Sequence, residues 1–70
     1  MKYAEFIKII EAHGFKIDRQ NGSHRIYEGF VDGRRCAVTV AYHRVNDEIL
    51  PKNFDSMIRQ SGLGKKLFRR

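Results

Sequence analysis

Gly22, Ser23 and His24 follow one another between two short strand-like runs, setting an imidazole beside a hydroxyl at a bend that a glycine permits. RNA is cleaved without a metal when a base takes the proton from a 2′-hydroxyl, that oxygen attacks the adjacent phosphate, and an acid protonates the leaving 5′-oxygen. Histidine suits either role, because its unperturbed pKa of about 6.5 keeps both protonation states populated around neutrality. His24 is the leading candidate for this chemistry, with Ser23 placed to hydrogen-bond a phosphate oxygen or the attacking hydroxyl. His43, directly after a third strand-like run, is the candidate for the complementary acid or for a phosphate contact. By spacing alone the segment also reads as a plain turn followed by an ordinary polar strand residue, and that alternative stays open. His13 is explained electrostatically by its place at the end of a helix.

Other chemistries find little support. No pair of the three histidines has the i, i+4 spacing of a two-histidine zinc motif, and one cysteine builds neither a disulfide nor a cysteine-based cluster, so neither metal nor cofactor is expected. Cys36 lies in the apolar run Cys36–Val40 and reads as a buried small hydrophobe in a protein of the reducing cytoplasm. Phosphate-binding glycine loops and serine-elbow motifs are missing. An acid at Glu5 interrupts what would be a signal peptide's apolar stretch, and no run approaches the roughly 18 apolar residues of a membrane span.

Fourteen Lys and Arg against eight Asp and Glu give the 70 residues a net charge of +6, which suits a polyanion. Arg19, Arg25, Arg34, Arg35 and Arg44 fall on or beside the strand-like runs and are candidates to hold an RNA backbone, joined by Lys65 and Lys66 near the carboxyl end. Tyr27 and Tyr42 interleave with them and read either as core residues or as platforms for an unstacked base.

The elements that must position these groups follow from periodicity. Tyr3, Phe6, Ile7 and Ile10 keep helical spacing over the first dozen residues, and His13-Gly14 ends that helix. Phe15–Arg19 alternates as a half-buried strand, and Asn21-Gly22 turns the chain. A second strand runs from His24 to about Val31, Asp32-Gly33 makes a hairpin loop, and a third strand covers Arg35 to Tyr42. A two-residue loop pairs His24 with Ala41, Ile26 with Thr39, Tyr27 with Val38 and Arg25 with Val40. His24 then shares a face with Ala37, Thr39 and Ala41, opposite Cys36, Val38 and Val40, with Tyr27 and Tyr42 on the core side. Pro51 opens a last helix that runs to about Ser61, stops at Gly62 and carries Phe54, Met57 and Ile58 as its apolar stripe. The basic tail from Gly64 reads as frayed. This is an α+β fold, helix, three antiparallel strands, helix, with both helices on one sheet face, and residues 1–70 form one domain.

The chain resembles the HicA toxin family of bacterial and archaeal toxin–antitoxin modules. The resemblance is carried by the helix ending at His13-Gly14-Phe15, by Arg19-Gln20-Asn21-Gly22-Ser23-His24, by the hairpin Asp32-Gly33-Arg34-Arg35, and by the closing segment Ser56–Leu63. It implies a fold like a double-stranded-RNA-binding domain and the role of a toxin in a type II module, an endoribonuclease that cleaves mRNA and halts translation. It further implies that His24 is the essential catalytic residue and that a HicB-type antitoxin masks the site. One departure concerns the Pro-x-His segment that the family often carries after the third strand: Ala41-Tyr42-His43 keeps the histidine without the proline. A non-catalytic RNA-binding module of the same fold, or a domain whose basic surface meets an acidic protein, would share the same charge.

Overall fold

The computed structural model describes residues 1–68. Helix α1 (Tyr3–Ala12) leads into a three-stranded antiparallel sheet of β1 (Lys16–Asn21), β2 (His24–Val31) and β3 (Arg34–Ala41), in spatial order β1-β2-β3. A 3₁₀ turn (Tyr42–Arg44) follows β3, then helix α2 (Pro51–Ser61) and a second 3₁₀ turn (Lys65–Phe68). The α+β, αβββα fold expected from the sequence is the fold observed. Among the described residues no helix is long and apolar enough to cross a membrane.

Helix α1 buries Tyr3, Phe6, Ile7 and Ile10, the i, i+3, i+4, i+7 set. Its start is held by the Lys2 N–H donating to the Glu5 carboxylate at 3.0 Å. At its end the Gly14 N–H reaches the Glu11 carbonyl and the Phe15 N–H the Ile10 carbonyl, at 3.1 and 3.0 Å, the paired bonds of a Schellman cap. That cap delivers the Phe15 ring into the core, where it lies flat on Gly29. A Cβ at position 29 would come within 2.7 Å of the ring, so only glycine leaves β2 open to it.

The β2–β3 pairing has the expected register, including His24 opposite Ala41 and Tyr27 opposite Val38. Tyr27, Val38 and Val40 are fully buried against the helices, whereas His24, Ala37 and Thr39 lie on the uncovered face. The first hairpin differs by one residue: Asn21 stays in β1 opposite His24, and the two-residue loop is Gly22-Ser23. Gly22 has φ +63° and Ser23 is not in the left-handed region, the sign pattern of a type II′ turn, which needs glycine first.

Four expectations fail for physical reasons. Strand β1 is exposed throughout rather than half-buried, and Ile17 keeps 47 % of its surface in water. It is an edge strand, and its register slips between Ile17 and Arg19 so that Asp18 bulges. Tyr42 is not a buried strand residue; it sits in the first 3₁₀ turn, at the exposed limit. The tail is not frayed as far as Phe68, whose ring is 3 % exposed and stacks on Phe6 at 4.8 Å between centroids. Cys36 is half-buried rather than buried, with its Sγ over Gly62. Helix α2 covers the outer edge of β3, where the Thr39 N–H donates to the Gln60 Oε1 at 3.2 Å instead of offering a free edge.

Candidate active site

Two turns meet at one end of the sheet, and each ends beside a histidine. The Gly22-Ser23 loop starts β2 at His24, and the 3₁₀ turn after β3 carries His43. They are joined by the Tyr42 N–H, which donates to the Ser23 carbonyl at 2.9 Å. The two imidazole centroids are 6.3 Å apart with their planes at 75°. Both rings are exposed, and among the described residues neither makes a hydrogen bond to the protein. His13 differs: it caps α1, and its Nδ1 bonds the Ile9 carbonyl at 2.9 Å, so that ring already has a local partner.

A cleft of about 180 Å³ opens beside His24. Its sheet side is formed by His24, Thr39 and Ala41, small neighbours that leave the imidazole uncovered, and its far wall by Asn53, Ser56 and Gln60 of α2. Gln60 accepts from Thr39 through Oε1, and its Nε2 donates to the Ser56 Oγ at 3.4 Å. The Ser56 hydroxyl proton and the Asn53 amide remain available to a ligand. These α2 residues were not anticipated from the sequence. Their only signal is a polar i, i+3, i+7 row beside the apolar stripe, which reads equally well as a solvated helix face.

The β1 bulge matters for the site. The extra residue turns Arg19 and Asn21 onto the open face with Ile26 and His24, and sends Gln20 to the other face beside Arg25. Arg19 is well exposed, with only a loose 3.8 Å pairing to Asp18. Arg25 is engaged within the protein: its guanidinium carbon lies 3.3 Å from the Tyr42 ring centroid, and its Nε donates to the Gln20 Oε1 at 3.1 Å.

The remaining basic candidates do not gather here. Arg34 and Arg35 lie at the opposite hairpin, six or more residues up the strands and so roughly 20 Å from His24. Arg35 is held by the Glu28 carboxylate at 2.6 Å, and that hydrogen bond raises its already high pKa. Lys65 faces Asp55 at 4.0 Å and Lys66 follows it in the second 3₁₀ turn, both on the helix layer. The side chain of Arg44 lies outside the described residues. No group of three or more His, Cys, Asp or Glu side chains able to hold a metal ion occurs among the described residues.

The arrangement presents two exposed imidazoles, a turn hydroxyl and the exposed Arg19 to whatever enters from the open sheet face, with amide and hydroxyl groups on the flank. Such a set can exchange protons with a bound phosphodiester and hold its charge. The family described as HicA toxin of bacterial toxin–antitoxin matches residues 3–63 of the chain. No curated protein and no solved structure matches it.

Proposed function

The chain belongs to the HicA toxin family of bacterial toxin–antitoxin systems, and from that premise we propose that it is a metal-independent endoribonuclease acting on mRNA through His24 and His43. The observation that carries this reading is the 6.3 Å approach of two exposed imidazoles across two turns. That spacing lets both rings reach a single phosphodiester. One imidazole takes the 2′-hydroxyl proton as that oxygen attacks phosphorus, the other protonates the departing 5′-oxygen, and a positioned acid or base of this kind is worth about 10² to 10⁴ in rate. Ser23 supports His24 at the turn, Arg19 holds the backbone phosphate beside it, and Arg34, Arg35, Lys65 and Lys66 extend the attraction to RNA at a distance.

No cofactor enters this scheme. The partner within the module is an antitoxin, which we take to be of HicB type and to cover the open sheet face around His24, and a messenger substrate places the work in the cytoplasm. The test is incubation of purified wild type and His24→Ala with a labelled single-stranded RNA in excess EDTA at low salt. Cleavage by the wild type alone, with binding by both, supports the reading. Binding by both proteins without cleavage would instead favour a non-catalytic RNA-binding module.

A further inference from the structure

The types of Arg25 and Tyr42 suggest that they grip phosphate and stack on a base, yet their geometry turns them toward each other. We infer that Arg25, Tyr42 and Gln20 form a brace that sets His43 relative to His24. Arg25 is a positioning residue, not an RNA ligand. The inference rests on the two-histidine reading proposed above.

Tyr42 immediately precedes His43, so contacts that anchor its peptide and ring hold in place the backbone from which the next side chain projects. Its ring is clamped by the Arg25 guanidinium at 3.3 Å, and its backbone N–H is tied to the Ser23 carbonyl at 2.9 Å. Arg25 is in turn held by Gln20, whose Nε2 donates to the Gly22 carbonyl at 3.0 Å. The chain of contacts therefore runs from the turn before His24, through Gln20 and Arg25, to the residue before His43. Every link is a directed contact between groups whose alternative is water, and a planar guanidinium over a ring makes a contact that an ammonium does not reproduce.

The bulge at Asp18 is what puts Gln20 on Arg25's side of the sheet. The turn Tyr42–Arg44 contains no proline, and the clamp on Tyr42 supplies its rigidity.

The experiment compares wild type, Arg25→Lys, Tyr42→Leu and Tyr42→Phe by single-turnover cleavage at saturating RNA, by RNA affinity at several salt concentrations, and by NMR of the His24 and His43 ring protons in the free proteins. Misplacing a catalytic group by about 1 Å costs about 10²-fold. A loss of that order in the saturated rate is expected for Arg25→Lys and Tyr42→Leu, with affinity and its salt slope unchanged. Tyr42→Phe, which keeps the ring, restores the wild-type rate. The His43 signals move in the first two variants and not in the third.

Weakened affinity with a salt slope smaller by about 0.7 in the charge-removing variant Arg25→Gln, at an unchanged saturated rate, would make Arg25 a phosphate contact and overturn the brace. A wild type that does not cleave RNA at all would overturn the nuclease reading. The brace would then be decided by the ring signals alone, and His43 signals unmoved in Arg25→Lys and Tyr42→Leu would overturn it.

Discussion

At the scale of residues, His24 and His43 are both exposed but not equally supported. His24 stands on the central strand, fixed by pairs on both sides with Asn21 and Ala41, whereas His43 hangs on a three-residue turn. We therefore expect the saturated cleavage rate plotted against pH to be bell-shaped for the wild type, one limb for the group that must be neutral and one for the group that must be charged. His43→Ala should lower the rate about 10²-fold and remove one limb, and the limb that disappears identifies the role of His43. An unaltered bell would show that His43 is not one of the two titrating groups. The closeness of the two histidines was legible in the sequence because Asp32-Gly33 fixes a two-residue loop, and that loop brings position 41 opposite position 24. The fate of Arg25 was not. Residue type says that an arginine can grip phosphate; it does not say that a tyrosine leaving its strand will be underneath.

At the scale of elements, the second hairpin and both helices were readable because each is marked by local chemistry. Gly14 ends α1, Pro51 starts α2, and Gly62 ends it in the left-handed conformation. Strand β1 was only partly readable. Its alternation predicts a buried face, but an edge position and a one-residue bulge are set by pairing with β2, which no local pattern records. The second 3₁₀ turn was hidden for another reason, since Phe68 stands among Lys65, Lys66, Arg69 and Arg70, and charge so dense reads as a solvated tail. In the fold Phe68 completes an aromatic trio, stacked on Phe6 and edge-on to Phe54 at 6.2 Å. Phe68→Ala should therefore cost about 3 kcal/mol in chemical denaturation, a core-sized effect from a residue at the edge of the chain. A change under about 0.5 kcal/mol, as for ordinary surface positions, would show that the turn does not belong to the core.

At the scale of the whole molecule, the net charge of +6 is spread over the open sheet face, the far hairpin and the helix layer, so attraction to a polyanion is general, whereas the two facing imidazoles occupy one corner. The amino terminus is pinned to the segment before α2: its ammonium pairs with the Glu48 carboxylate at 2.8 Å, and Lys2 bridges to the same residue. That ammonium's hydrogen bond, and then its charge, hold the Glu48 pKa below the ordinary carboxylate value. A depressed acid stabilises the fold above its unfolded pKa and loses that contribution as pH falls through its folded value. The stability difference between wild type and Glu48→Gln should accordingly be present at neutral pH and vanish in acid, as followed by denaturation across pH. A difference constant with pH would assign the effect to packing rather than to the ion pair.

The proposed nuclease chemistry requires that a 2′-hydroxyl attack under the control of His24 without a metal. It is tested most directly by identifying the ends left on a cleaved RNA in excess EDTA. Fragments bearing 2′,3′-cyclic phosphate and 5′-hydroxyl ends, made by the wild type and not by His24→Ala, are the predicted result. Fragments with 3′-hydroxyl and 5′-phosphate ends, or cleavage that EDTA abolishes, would contradict it.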